Sequence, residues 1–375
     1  MAGIYIHIPF CRQACHYCDF HFSTSMDRKV EMVDALAREL ALRKKEFKAE
    51  VVETIYFGGG TPSVLSTEQI EFLIQSVYDN FAVSDSPEIT LEANPDDLTK
   101  DVIATLAASR VNRLSIGIQS FFDEELSMMN RAHNAAQALD SLTNATKHFK
   151  NISIDLIYGI PGMDDKKWEK NIEIALSLDI PHISAYALTV EPKTALKKMV
   201  QAGKIAEPQE SQAQDQFAIL VDKLESAGFV HYELSNFGKP EYFSKNNTAY
   251  WLGKKYLGIG PSAHSYNGIS RSWNVANNVK YLKAITSNEL PAELEVLTAD
   301  DRYNEYVMTG LRTIWGVSID HVENEFGGEK VKYLLENAER HIKQDLLQVA
   351  DRILKPTAKG KFLIDGIASD LFVVN

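Results

Sequence analysis

The sequence predicts an α/β fold: a partial, TIM-like (β/α)6 barrel of parallel strands, an α/β extension of its sheet, and a C-terminal, mostly helical module of winged-helix-like type. Three observations lead there. Strand-like and helix-like segments alternate with short connections through the first half of the chain, the pattern of a parallel sheet with helices packed outside it. A polar or glycine-rich element stands at the C-terminal end of each predicted strand, where barrels of this kind hold their chemistry. From Thr298 the pattern changes to consecutive helices followed by a β-ribbon. The expected divisions are 1–188 for the barrel, 189–296 for the sheet extension and linker, and 297–375 for the C-terminal lid or docking module.

The elements follow in order. Ile4–Ile8 is a β-rich run that stops at Pro9. Ser25–Phe47 is an amphipathic helix with Met32, Leu36, Leu40 and Phe47 near one face. Val51–Phe57 is a strand ending at Gly58-Gly59-Gly60, and Ser66–Tyr78 is a helix with Ser66 and Gln69 in capping-box spacing. Glu88–Ala93 is a strand ending at Asn94-Pro95, with Glu92 at its end, and Leu98–Ala108 is a helix. Arg113–Ile118 is a strand ending at Gln119, and Ala135–Phe149 is a helix. Ile152–Tyr158, carrying Asp155, is a strand, and Lys166–Leu178 is a helix. His182–Leu188, carrying Tyr186, is the sixth strand. Right-handed crossovers curl such a sheet into a full or partial barrel.

Cysteine occurs three times, as Cys11, Cys15 and Cys18, directly after the first strand. An odd number of cysteines in a long chain reads as intracellular rather than disulfide-stapled. A structural zinc would draw a fourth ligand from His7, His16 or His21. A [4Fe–4S] cluster would be held by three thiolates and keep its fourth iron open to a substrate or cofactor. The C-x3-C-x2-C spacing favours the cluster. Gly58–Gly60 lacks the Gly-Lys-Ser/Thr of a phosphate loop. It suits close backbone approach to an amino-acid-like ligand instead.

The cysteine loop followed by Gly58-Gly59-Gly60-Thr61-Pro62 resembles the radical S-adenosylmethionine (SAM) superfamily. Five further stretches resemble its oxygen-independent coproporphyrinogen III oxidase-like group. They are Tyr5-Ile6-His7-Ile8-Pro9-Phe10-Cys11, Glu92-Ala93-Asn94-Pro95, Ser115-Ile116-Gly117-Ile118-Gln119-Ser120, Asp155-Leu156-Ile157-Tyr158-Gly159-Ile160-Pro161-Gly162 and Tyr256-Leu257-Gly258-Ile259-Gly260-Pro261. The resemblance implies a barrel of the radical SAM type. It implies that Cys11, Cys15 and Cys18 ligate the cluster and that SAM chelates the open iron. Gly58, Gly59, Gly60 and Thr61 would contact the methionine end of SAM, and Glu92 the ribose. Tyr5, Gln119, Arg131 and Asp155 match positions that line SAM or a second SAM. An electron from the cluster would cleave SAM to methionine and a 5′-deoxyadenosyl radical.

Two functions occur within the group. One is oxidative decarboxylation of coproporphyrinogen III, which needs an electron donor such as a flavodoxin or ferredoxin. The other is a haem chaperone that binds haem and delivers it to a respiratory protein at the membrane. The oxidases carry a fourth cysteine where this chain has Phe20, and an N-terminal extension ahead of the cluster. Both features, with the shorter chain, point to the chaperone branch, with the oxidase or another tetrapyrrole-modifying enzyme as the alternative. The chaperone branch usually carries His-Asn-x-x-Tyr-Trp, and here Asn246 stands at the histidine position. His264 and His133 are then the next candidates for haem iron. Tyr250, Trp251 and Trp273 could flank a planar ligand or simply pack the core.

Beyond the barrel, Phe229–Ser235 reads as a seventh strand and Tyr256–Ile259 as part of the same layer. Asp300–Thr313, Ser318–Phe326 and Glu329–Gln344 read as helices, and Arg352–Leu354 and Phe362–Ile364 as the ribbon. From Thr298 onward, ten Lys/Arg face thirteen Asp/Glu, and the whole chain carries a net charge of −12. Neither has the basic footprint of a nucleic-acid binder. No stretch reads as a secretory signal or approaches the ~20 apolar residues of a membrane helix. The expectation is a cytoplasmic protein, with peripheral contact at the inner face of the membrane.

Overall fold

The computed structural model describes residues 2–47 and 50–374. Six parallel strands form the expected barrel wall: β1 (Ala2–Ile8), β2 (Val52–Gly59), β3 (Val83–Ala93), β4 (Arg113–Gln119), β5 (Ile152–Tyr158) and β6 (His182–Ala187). Between them run α1 (Lys29–Arg43), α2 (Thr67–Asn80), α3 (Lys100–Ala107), α4 (Asp123–Met128), α5 (Ala135–Ala145) and α6 (Asp165–Ser177). Alternate strand residues point outward and are apolar. Ile4, Ile6, Ile8, Ile55, Phe57, Leu91, Ile116, Ile154 and Leu156 are all fully buried, as are Leu36 and Leu40 of α1. Each such side chain contributes roughly 1.5–3 kcal/mol of hydrophobic stabilisation.

The Ser66–Gln69 capping box forms as expected and starts α2. The first helix is shorter at both ends than its apolar periodicity suggests. Before it, Ser25 Oγ donates to Asp27 Oδ2 at 2.8 Å, a local turn that competes with helix.

After β6 come α7 (Ala195–Gln201) and α8 (Glu210–Ser226), then β7 (Val230–Glu233) and β8 (Asn236–Gly238). The predicted strand Phe229–Ser235 is therefore cut short. Glu233 accepts from Ser235 N at 3.2 Å and turns the chain into β8, which pairs antiparallel with β6. The chain then crosses through α9 (Lys245–Trp251) to the opposite edge, where β9 (Lys255–Ile259) pairs parallel with β1. Glu88 receives the first amides of α9, from Lys245 at 2.9 Å and Asn246 at 3.3 Å. The sheet continues through β10 (His264–Tyr266) and β11 (Ser270–Asn274), and after α10 (Asn278–Thr286) ends at β12 (Ala292–Val296).

A second core gathers Tyr303, Val307, Leu311, Leu334, Leu354 and Leu371. Its elements are α11 (Ala299–Leu311), β13 (Val317–Ser318), α12 (Ile319–Phe326), α13 (Gly328–Lys343), β14 (Leu347–Ala350), β15 (Ile353–Pro356), α14 (Ala358–Lys361) and α15 (Ile364–Asp370). The ribbon is β14 with β15, not Arg352–Leu354 with Phe362–Ile364. Asp351 and Arg352, with φ of 51° and 57°, make the tight turn between its strands. The Thr357 side chain accepts from Gly360 N at 3.2 Å and starts a helix there, so the chain past Pro356 does not continue as strand.

One buried ion pair ties the far edge of the sheet to α1. Glu39 accepts from Tyr281 OH at 2.6 Å, Asn274 Nδ2 at 2.8 Å and Gly260 N at 2.8 Å, and lies 3.3 Å from Arg43 Nη1. Arg43 in turn donates to the Gly258 carbonyl at 2.8 Å. Removing one member of such a set leaves charge and donors unpaired in an apolar setting. Glu39→Ala is expected to cost about 3–5 kcal/mol of unfolding free energy in urea denaturation.

Candidate cofactor site

Pro9 ends β1, and the chain swings across the barrel mouth as the cysteine loop. Ser23 N donates to the Pro9 carbonyl at 2.9 Å and Cys11 N to the Ser23 carbonyl at 3.0 Å, so the loop leaves and returns at one point. Its far side is held by the segment after α4. His16 donates from its backbone N to Met129 O at 3.0 Å and from Nδ1 to Met128 O at 2.8 Å. Asn130 Nδ2 donates to Ala14 O at 2.7 Å.

Two side chains reach the sulfurs. Thr61 Oγ1 donates to Cys11 Sγ at 3.3 Å and accepts from Asn94 Nδ2 at 3.3 Å. Arg131 Nη1 donates to Cys15 Sγ at 3.3 Å and to Tyr17 OH at 3.4 Å. Its Nη2 donates to Asn94 Oδ1 at 2.7 Å and to the Gly117 carbonyl at 2.9 Å. Burial pushes the Cys11 thiol up to about 11, partly offset by the Thr61 hydrogen bond. A bound metal cluster reverses that preference and holds the sulfur as thiolate.

The glycine turn comes up beside the loop. Gly60 N donates to Ile8 O at 2.9 Å and Thr61 N to Phe10 O at 2.7 Å. A Cβ on Gly60 would lie 2.6 Å from the Phe10 carbonyl oxygen, and one on Gly58 would lie 3.0 Å from Glu92 Oε1. The turn is glycine because strand and cysteine loop pass too close for anything larger. Gln119 holds a left-handed backbone, φ 67°, at the end of β4. Such a conformation in a residue other than glycine marks a position constrained by its site.

Cys11, Cys15, Cys18, Gly59, Gly60, Thr61, Glu92, Gln119, Arg131 and Asp155 line one cavity of about 530 Å³. Of the remaining predicted residues, Gly58 packs beneath it against Tyr5, Tyr56 and Glu92. Tyr5 faces a second cavity of about 740 Å³ inside the barrel. The two cavities adjoin and share Phe20, Gly59, Glu92, Ser115, Asp155 and Tyr186. Glu92 accepts from Tyr56 OH at 2.7 Å. Burial nevertheless raises its carboxyl to about 7, and that of Asp155 to about 6.

The histidines separate clearly. His7, His16 and His21 are absent from the lining of the cysteine cavity. His7 Nε2 donates to the His21 carbonyl at 2.9 Å, and His21 Nε2 meets Asn278 Oδ1 at 2.8 Å. Among the described residues, no three His, Cys, Asp or Glu side chains close on a single-ion centre. Three cysteines around one cavity, two with side-chain donors on their sulfurs, fit a larger group held at several points. His133 is buried and donates to the Ile118 carbonyl at 3.1 Å. His264 lines the inner cavity, as do Asn246 and Tyr250, whereas Trp251 and Trp273 do not. Asn246 Oδ1 accepts from Thr54 Oγ1 at 3.1 Å at the cavity floor.

Sequence reasoning assigned no role to Asn94, Tyr17, Tyr56, Ser115 or Arg113. Part of the signal was present as an i, i+2 polar alternation inside the strands: Tyr5 and His7, Thr54 and Tyr56, Arg113 and Ser115.

A parallel partial barrel whose first loop carries three cysteines above a glycine turn is the arrangement of a radical SAM protein. The comparisons with known proteins agree. The radical SAM superfamily matches residues 5–175, and the HemN C-terminal domain matches residues 297–363. The chain is 36% identical to heme chaperone HemW of Lactococcus lactis over 97% of each chain. It is 37% identical to heme chaperone HemW of Bacillus subtilis over 87% of each chain. Its fold matches coproporphyrinogen III oxidase (HemN) from Escherichia coli with a TM-score of 0.86, over 99% of this chain and 90% of that one, at 24% identity. That last likeness shows the fold alone. The chain belongs to the radical SAM superfamily and, within it, to the HemW heme chaperone group. Membership of the superfamily implies a [4Fe–4S] cluster and SAM.

The raised carboxyls set a pH dependence. In the folded protein Glu92 stays protonated up to about 7, whereas its ordinary value is 4.5. The folded state therefore holds a proton that the unfolded chain releases, and stability falls as pH rises from about 4.5 to about 7. Glu92→Gln removes this group's share of the fall. Urea denaturation of SAM-free protein across that window should show a shallower decline for the variant than for the wild type.

Proposed function

We propose that this chain binds haem in the inner barrel cavity and hands it to an acceptor protein, with a [4Fe–4S] cluster and SAM in the adjoining cysteine cavity. The observation that carries this reading is the near-full-length identity to proteins named heme chaperone HemW. The geometry supports it. A large cavity inside the barrel meets the cysteine cavity at Phe20, the position of the oxidases' fourth cysteine, and Phe20 offers an exposed aromatic face to both.

Cys11, Cys15 and Cys18 would hold the cluster, which when bound supplies the electron for cleaving SAM. Thr61 and Arg131 stabilise the sulfurs by hydrogen bonds. Gly59, Gly60, Gln119 and Asp155 bound the space for SAM, and Glu92 takes its ribose hydroxyls. His264 is our candidate for the haem iron. Its ring faces the inner cavity with no hydrogen-bond partner among the described residues, and neutral imidazole is a usual haem ligand. The second core would serve as lid or docking module for the acceptor. Among the described residues no helix is long and apolar enough to cross a membrane. Delivery to a respiratory protein would take place by contact at the inner face of the membrane.

Anaerobic haem titration of the cluster-reconstituted protein tests the reading. Saturable one-to-one binding, micromolar or tighter (about −8 kcal/mol), and loss of the haem to an apo-acceptor are expected. Absence of saturable binding, with 5′-deoxyadenosine forming only when coproporphyrinogen III is added, would establish the oxidase instead. His264→Ala should change the haem absorption spectrum by removing its axial nitrogen. At pH 8, where the carboxylate is ionised, Glu92→Ala should weaken SAM binding by the ~1.5–3 kcal/mol of a charged hydrogen bond, read by calorimetry, with the iron content unchanged.

A further inference from the structure

Arg113, the first residue of β4, is a buried cation with no side-chain hydrogen bond or ion pair among the described residues. Only 2% of its surface is exposed, yet it lines the inner cavity. Its Nε is fully buried with no hydrogen bond, and no carboxylate among the described residues lies within ion-pair distance of it. Beside it on β3, in register, the hydroxyl of Thr90 is also buried without a partner. Of the other cations on the cavity wall, Arg271 pairs with Glu305, Lys255 pairs with Glu50, and Lys254 makes no ion pair among the described residues but is exposed to solvent, unlike Arg113.

The groups around Arg113 leave it unsatisfied. Glu92 is engaged by Tyr56 OH at 2.7 Å, and Asp155 stands across from Ser184 in the β5–β6 register. Burial draws both carboxyls toward the neutral form; the charge of Arg113 pulls the other way on each, but neither comes within hydrogen-bond or ion-pair distance of it. His182 is held between Ser153 Oγ at 2.6 Å and Tyr232 OH at 2.8 Å, and burial keeps it uncharged. A guanidinium can shed neither its charge nor its donors, so a buried one calls for an anion. The cavity beside it is where that anion can come from.

We propose that Arg113 is the carboxylate anchor of the inner cavity. The ligand would place a carboxylate against the guanidinium, in the planar two-point geometry that suits this pair. The inference rests on the haem reading, under which the carboxylate is a haem propionate.

The test compares haem with haem dimethyl ester, which lacks the charge, on full-length, cluster-reconstituted protein. The wild type should bind haem about tenfold or more tighter than the ester. Arg113→Met should lose that preference, weakening haem about tenfold or more while leaving the ester unchanged. Arg113→Lys should keep part of it. A change of ratio between the two ligands is not produced by general loosening of the fold. If Arg113→Met does not fold, Arg113→Lys carries the test, and a haem-to-ester ratio unchanged from the wild type overturns the anchor. Equal wild-type affinities, or a preference retained in Arg113→Met, would overturn the anchor and leave the haem reading standing. No wild-type binding of either ligand would remove both. SAM is the other carboxylate carrier, so it is titrated in parallel. Weaker SAM binding in Arg113→Met with unchanged haem affinity would overturn the propionate assignment.

Discussion

One guanidinium holds the cysteine loop to the barrel. Arg131 follows the short helix α4 and reaches four groups on three separate elements: Cys15 and Tyr17 in the loop, Asn94 after β3, and the Gly117 carbonyl on β4. Asn94 passes the connection on to Thr61 and so to Cys11. The loop itself has little apolar core of its own. Its shape depends on this polar framework, and the direction of the sulfurs depends on the shape. A rigid fork of donors can join three elements in a way that a flexible lysine cannot.

The barrel wall below does two opposed jobs with one periodicity. Outward residues are apolar and pack the helices. Inward residues are Tyr5, His7, Thr54, Tyr56, Arg113, Ser115, Asp155 and Ser184, a lining that would be costly if it had to close on itself. The interior therefore stays open as a cavity, and α9 covers its floor with amides that Glu88 receives. Stability is supplied by the outer layer, and the inner layer is left free to be chemically specific.

Much of this was legible in the chain. Strand Ile152–Tyr158 falls where its apolar run places it, because a strand covered on its outer face by helices is bounded by turn residues. The Ser66–Gln69 cap is readable for the same local reason. The cysteine and glycine motifs are contiguous, so they name themselves. Asn94, Tyr17 and Arg113 are different: their roles exist only once the loop has folded back and the strands are in register. The edges of the sheet were equally hidden. Nothing local says that the segment at Lys255–Ile259 travels to β1 while Asn236–Gly238 remains beside β6. Nor does composition reveal that Thr357 caps a helix where the connection between the two ribbon strands was expected.

The pairing of β1 with β9 also bears on the order of assembly. β2 follows β1 closely, but β9 lies beyond more than half the chain. On a ribosome, the strand that carries the cysteine loop has one neighbour early and waits for the other until residue 259 has emerged. Contacts of such long sequence separation form late, after the loop-closure entropy has been overcome. The strand that leads into the cysteine loop thus still has an unpaired edge when all three thiols have already been made.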